Sequence, residues 1–196
     1  MKNRDLTQQP DPIKKERASK MMLWFGIVSL IMTFAGWTSA YIVSSSREDW
    51  MEDFQLPMAF WYSTGILLLS SLTYMMALRS VRQGQQRAGS LWLGITLVAG
   101  LVFIYSQFSG FSQMIGYGYY FTGPTSNITL SYLFLIAAVH IAHVVAGLIS
   151  LVVVVVKQLR GKYGPGRMLG MELGSTFWHF LDLLWVYLML FFYFFG

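Results

Sequence analysis

Three histidines and two carboxylates lie in the last two apolar stretches of this 196-residue chain: His140 and His143 in AAVHIAHVVAG, then Glu172, His179 and Asp182 in MELGSTFWHFLDLLW. Imidazole ligates haem iron and metal ions alike. A carboxylate at the centre of a membrane helix costs roughly 2.5–3.5 kcal/mol on insertion scales, so such a residue faces a bundle interior, a partner or a water path. Haem or metal ligation, proton relay and interhelical hydrogen bonding are therefore the chemistries to weigh. Spacing argues against haem. His140 and His143 are three residues apart and share one helix face, so they do not approach one haem from opposite sides. Counted from the inner ends of their helices, His140 lies about 25 Å deep and His179 about 10 Å deep at 1.5 Å per residue, and tilt does not close that gap. Hydrogen bonding across the bundle is the favoured role, with Ala137, Ala138, Ala142, Ala146 and Gly147 as small residues that let backbones approach. His143 falls about one turn from the depth of Asp182, so a direct or water-mediated contact between the last two spans is expected. Soluble-enzyme signatures are absent: there is no phosphate loop, no paired carboxylates in one span, and no nucleophile with a base nearby.

The elements that must position these residues follow from composition. Hydrophobic residues make up 55% of the chain, aromatic residues 17% and charged residues only 12%, a balance that belongs to membrane proteins. Five apolar stretches, at about 21–44, 57–80, 90–114, 128–156 and 173–195, are each long enough to cross roughly 30 Å of hydrocarbon. The expected fold is all-α: one domain, residues 21–196, a bundle of five transmembrane helices preceded by a basic cytoplasmic tail, residues 1–20. Thirteen of the 14 Lys and Arg residues fall in that tail, between spans two and three, or between spans four and five. By the positive-inside rule the N-terminus is inside and the C-terminus outside. The first stretch is too long, and its leader too acidic with Asp5, Asp11 and Glu16, for a cleaved signal, so it is expected to remain in the mature protein. Topology accounts for the basic charge, which leaves no case for nucleic acid as a partner. The absence of cysteine excludes disulfides, thiolate metal sites and iron–sulfur clusters. Turn signals fit the same plan: Leu56-Pro57 opens span two, Gly84 and Gly89 bracket one inside loop, and GKYGPG breaks the other.

Taken together, HIAHVVAG, a basic loop, an acid and then FWHFLDLLW resemble the paired signature of cytochrome c oxidase subunit III and its quinol oxidase counterparts. The residues that carry the resemblance are His140, His143, Val144, Gly147, Glu172, Trp178, His179, Phe180, Asp182 and Trp185. LPMAFWYSTGILLLSS at 56–71 is similar to the family's Leu-Pro opening and Ser-rich helix, WFGIVSLIMTFAGWTSAYIV at 24–43 to the helix before it, and Gln107 stands where the next helix carries a glutamine. The likeness covers about residues 21–196 and starts at what would be the third helix of the long family members, which makes this the short, five-helix form.

The resemblance implies a noncatalytic, cofactor-free subunit of a bacterial cytoplasmic-membrane oxidase that packs on the haem-copper subunit I, beside subunit II. It implies bound phospholipid and support for proton uptake and for stability during turnover, with haems and copper in the partner subunits. In that light Gln107, His140, His143, Glu172, Trp178, His179, Asp182 and Trp185 are packing or lipid-contact residues, not catalytic groups or ligands. A haem-copper catalytic subunit needs six histidine ligands, and this chain has three histidines in all. Three positions depart from the family pattern: Leu30 replaces an acid in the first span, Gly110 replaces a glutamate three residues after the glutamine, and Ala137-Ala138 replaces Thr-Gly. The alternative from another class is a small multi-pass proton-coupled carrier or channel, with Asp182 and the histidines as its relay. An odd number of spans without inverted repeats counts against it.

Overall fold

The computed structural model of the chain describes residues 11–48, 50, 57–120 and 127–195. The acids Asp49, Glu52 and Asp53, the charged residues Lys2, Arg4 and Asp5, Leu56 of the Leu-Pro opening, and residues 121–126 of the uncharged loop lie outside the described residues. The rest forms five helices: α1 (Asp11–Ser44), α2 (Met58–Arg82), α3 (Gln86–Gly116), α4 (Ile128–Leu159) and α5 (Leu169–Phe195). All five are long and apolar enough to cross a membrane, and the chain is a multi-pass membrane protein. The helices overrun the expected spans, α1 most of all, which starts at Asp11 rather than at about residue 21. The charged segment before Met21 has no helix breaker after Pro12, and proline is tolerated in a first turn. A Glu16–Lys20 pair four residues apart, at 2.6 Å, supports the extension.

Local sequence explains the boundaries. Pro57 stands at the N-cap of α2 with φ −56°, and Asn127 caps α4 by accepting a hydrogen bond from the Thr129 N–H at 3.0 Å. The α2–α3 hairpin turns at Gly84, whose φ of +79° suits glycine alone among common residues. Arg79 and Arg82 occupy the last turn of α2, where cations favour the helix dipole.

Packing is uneven, and the unevenness matters. Among the described residues α5 touches α1, α2 and α4, and α2 and α3 form the most intimate pair, whereas α1 meets only α4 and α5. Half of the most apolar window of α5 is buried inside the bundle, against 17% for α1. The helix that carries the FWHFLDLLW motif is thus the hub, and α1 is an outrigger with most of its apolar surface left for lipid or a partner. α1 is held mainly toward one end. There Thr38 bonds the Tyr187 hydroxyl at 3.0 Å, Ser44 donates to the Tyr132 hydroxyl at 3.2 Å, and the buried Tyr41 ring packs against Trp50, Phe191 and Phe192.

Candidate functional site

The motif residues of α5 are organised by α2, through a row of hydroxyls. Trp178 and Trp185 are seven residues apart, so both indoles leave the same face of α5. The Trp178 Nε1–H donates to Ser70 Oγ and the Trp185 Nε1–H donates to Thr64 Oγ1, each at 3.0 Å. His179 Nδ1 is hydrogen-bonded to Ser71 Oγ, and the Tyr74 hydroxyl donates to the Met171 carbonyl at 3.4 Å. As residue numbers rise on α5 they fall on α2, so the two helices run antiparallel and every hydroxyl meets its partner in register. Other hydroxyls of α2 serve α3. Gln107 Nε2 donates to Ser63 Oγ at 2.8 Å, and Thr73 bonds Thr96 at 2.8 Å. In hydrocarbon these contacts matter because a polar group left without a partner costs about 1–3 kcal/mol.

Tight packing locks the first indole in place. A side chain at Gly100 would meet the Trp178 ring and Leu148 at 2.8 Å, and one at Gly147 would meet Leu181 at 2.8 Å, so both glycines are the slot into which Trp178 fits. Trp178 is accordingly only 2% exposed. Of the small residues expected to allow close approach, Ala137 and Gly147 face inward, but Ala138, Ala142 and Ala146 are exposed on the outer side of α4.

The histidines diverge. His140 is fully buried and stacks on Trp185 at 5.1 Å with the rings 26° apart, with Phe34 and Phe103 edge-on around it. Neither of its ring nitrogens has a hydrogen-bond partner among the described residues. His179 points instead to Ser71 on α2. Of the direct or water-mediated contact expected between His143 and Asp182, no direct bond is formed. His143 sits on the face of α4 turned to α1, where its Nδ1 bonds the Val139 carbonyl at 2.7 Å and its ring lies against Phe34 at 5.9 Å, while Asp182 faces α2. Asp182 is 2% exposed and stands beside Ser71. Neither Asp182 oxygen has a hydrogen-bond partner among the described residues, and the Ser71 hydroxyl beside it bonds His179.

At the basic end of the bundle, Glu172 ties three helices together. It accepts from Arg82 of α2 at 3.0 Å and lies 3.7 Å from Lys20 of α1. Exposed pairs of this kind contribute about 0–1 kcal/mol each in water. Behind them Gln86 Nε2 donates to the Tyr163 carbonyl at 3.2 Å, and Gln158 Nε2 donates to Gln86 Oε1 at 2.6 Å, which holds the α4–α5 loop on the α2–α3 hairpin. Burial in that loop pushes the Tyr163 phenol above its ordinary value.

The sequence profile of the family described as cytochrome c oxidase subunit III matches residues 20–196. The chain belongs to the cytochrome c oxidase subunit III family. Among curated relatives, the cytochrome bo(3) ubiquinol oxidase subunit 3 of Pseudomonas aeruginosa is 32% identical over 168 residues, covering 83% of this chain and 78% of that one. The cytochrome c oxidase subunit 3 of Corynebacterium diphtheriae is 27% identical over 171 residues, covering 84% and 82%. The probable quinol oxidase subunit 3 of Staphylococcus aureus is 32% identical over 140 residues, covering 70% and 66%. Both cytochrome c and quinol oxidases thus stand among the relatives of this subunit III chain.

Two departures from the family pattern acquire a physical setting. At Gly110 the Phe60 ring fills the place a side chain would take, at 3.1 Å from its first carbon. Phe60 in turn packs against Phe111 and Trp185. An aromatic from α2 thus occupies the space, and Gln107 bonds Ser63 through its amide while its Oε1 has no partner among the described residues. Leu30 is half-buried on the outrigger helix α1. The hydroxyl row of α2 is the part of the site that sequence reasoning missed, although Ser63-Thr64 and Ser70-Ser71 repeat at the seven-residue spacing of the two tryptophans.

Proposed function

We propose that this chain is the noncatalytic subunit III of a bacterial respiratory haem-copper terminal oxidase, set in the cytoplasmic membrane with its basic end inside. It packs on the haem-copper subunit I beside subunit II, holds phospholipid, and supports proton uptake and stability during turnover. The haems and copper belong to the partner subunits. The observation that carries this reading is the family match over residues 20–196, coupled to a site in which the motif tryptophans and His179 are spent on holding helices together. Lipid binding is supported by two apolar grooves on the outside of the bundle. One, of about 640 Å³, runs between α3 and α4 past Phe108, Phe111, Phe134 and Ala138. The other, of about 460 Å³, runs between α1 and α5 past Ile31, Ala35, Phe180 and Leu183. Purification in mild detergent through a tag on this chain, followed by mass spectrometry, tests the reading. Haem-copper subunits I and II should co-purify in stoichiometric amounts, with a haem spectrum from the complex; a chain that purifies alone from cells respiring on oxygen refutes it.

A further inference from the structure

We propose that the cleft at the N-terminus of α5 is a phosphate-binding site, built from the first amides of that helix, Arg167, Arg82 and the Tyr163 hydroxyl. Its ligand is a phosphate group: the headgroup of an inner-leaflet phospholipid, or soluble phosphate. The inference rests on the reading of the basic end as the inner side, and deepens the lipid-holding role by giving a headgroup its place.

The sequence before α5 sets the donors. Gly164-Pro165-Gly166-Arg167 closes as a tight turn, in which the Arg167 N–H donates to the Gly164 carbonyl at 2.9 Å and Gly166 takes a φ of +87°. Proline at the second position and a positive φ at the third are what a type II turn requires. Arg167 is thereby fixed two residues ahead of α5, which begins at Leu169. The first N–H groups of a helix have no acceptor one turn earlier. The Glu172 N–H bonds the Met168 carbonyl at 2.9 Å, so the amides of Leu169, Gly170 and Met171 are the ones left over. Together with the helix dipole they favour an anion.

A buried hydroxyl points to the same place. Tyr163 is only 8% exposed, and its carbonyl is pinned by Gln86 at 3.2 Å. A side chain at Gly170 would start 2.6 Å from the Tyr163 hydroxyl oxygen, so that hydroxyl stands over the first turn of α5. It makes no hydrogen bond among the described residues. Tyr163, Arg167, Gly170 and Arg82 all line one cleft of about 540 Å³. Amides, guanidinium groups and a phenol with a proton to donate lack one thing, a group with several acceptor oxygens.

Charge supports an anion even though Glu16 and Glu172 share the walls. Both carboxylates are already paired: Lys20 lies 2.6 Å from Glu16 and 3.7 Å from Glu172, and Arg82 lies 3.0 Å from Glu172. Arg82 uses one of its several donors there. Arg167 makes no ion pair among the described residues. Lys20, Arg82 and Arg167 thus face two carboxylates, which leaves a surplus cation for the ligand. A phosphate presents oxygens in several directions, so one group can meet donors from the loop, α5 and α2 together, and arginine suits it.

Apolar surface beside the cleft favours the lipid as the source. A smaller cleft of about 130 Å³ also has Glu172 in its wall and lies between α1 and α5 against Leu23, Trp24 and Leu173. The groove of about 460 Å³ past Phe180 lies between the same two helices. Leu173 and Phe180 are seven residues apart on one face of α5, so a chain attached to the phosphate has apolar walls along that side of the helix.

The test is native mass spectrometry of the purified, assembled oxidase, stripped of lipid by detergent exchange and titrated with dioleoylphosphatidylglycerol or with inorganic phosphate. The expected result is a bound phospholipid whose dissociation constant rises about tenfold or more in Arg167→Gln, which loses a charge-assisted bond, and about threefold or more in Tyr163→Phe, which keeps the ring and loses only the hydroxyl. Arg87→Gln, which removes an exposed cation of the basic end outside the cleft walls, should leave it unchanged. Phosphate adducts that depend on Arg167 and Tyr163, without a lipid adduct that does, identify soluble phosphate as the ligand of the same site. Adducts indifferent to both residues, no adduct of either kind, or equal weakening by Arg87→Gln overturns the proposal. Subunit stoichiometry is read from the same spectra, so missing haem-copper subunits refute the functional reading, whereas a complete complex with indifferent adducts refutes only this site.

Discussion

Asp182 gives the sharpest energetic prediction, because the structure shows what its removal would and would not disturb. The side chain is 2% exposed with neither oxygen partnered among the described residues. Its polar neighbour Ser71 keeps a partner in His179 when the carboxyl is deleted. Burying even the neutral group without a hydrogen bond costs about 1–3 kcal/mol. Asp182→Leu replaces it with an apolar side chain of similar volume, a type of exchange that is often neutral or stabilising. Asp182→Leu should therefore raise the stability of the subunit by about 1–3 kcal/mol. Asp182→Ala removes the same desolvation cost but opens a gap worth about 1 kcal/mol per missing methyl-sized group, so it should lie between Leu and the native residue. Asp182→Asn keeps an unpartnered polar group and should match the native residue closely. The assay is thermal and detergent challenge of the purified complex, scored by the fraction of this subunit retained. If Asp182→Leu and Asp182→Ala both shed the subunit while Asp182→Asn holds it, the carboxyl is hydrogen-bonded by a group from another subunit and the reasoning fails.

Three further outcomes are expected. Trp178→Phe should lose one N–H to Ser70 and cost about 0.5–1.5 kcal/mol, whereas Trp178→Ala also empties the slot between Gly100 and Gly147 and should cost about 3–5 kcal/mol, read as the fall in unfolding temperature of the complex. Native α1 should resist carbodiimide, and Leu30→Glu should gain labelling at that position, because the reagent needs a protonated carboxyl and an apolar setting favours that form; peptide mapping of the labelled subunit decides it. Reporter fusions after Arg87 and after Gly196 should report opposite sides of the membrane, since the basic residues cluster on one side; the same side for both contradicts a five-span chain.

Much of this was legible in the sequence, for identifiable reasons. Span number follows from apolar length, and the inward polar strip of α5 follows from Glu172, His179 and Asp182 sharing one face. What escaped was the choice of partner. Periodicity says which residues share a face but not which helix lies opposite, so a place about one turn from the depth of Asp182 does not decide the neighbour of His143; in the structure it faces Phe34 on α1. The small residues of α4 illustrate the same gap, since small size permits close approach without fixing a direction. Ala137 and Gly147 took the inward positions, while Ala138, Ala142 and Ala146 face out. The α1 boundary escaped for a different reason: hydropathy marks where lipid begins, and a helix stabilised by the Glu16–Lys20 pair continues past that point.

The division of labour among the polar residues then suggests why this bundle tolerates them. Ser63, Thr64, Ser70 and Ser71 each bond a partner on α3 or α5, and together they fix the antiparallel register of helices whose apolar surfaces alone would slide, since lipid tails compete for every aliphatic contact. Asp182 adds nothing to that register. It lies on the same seam, one turn from His179, yet makes no bond that holds a helix, and its burial opposes stability. Its burial without a hydrogen-bond partner among the described residues is a cost that the paired hydroxyls and indoles of the seam do not share.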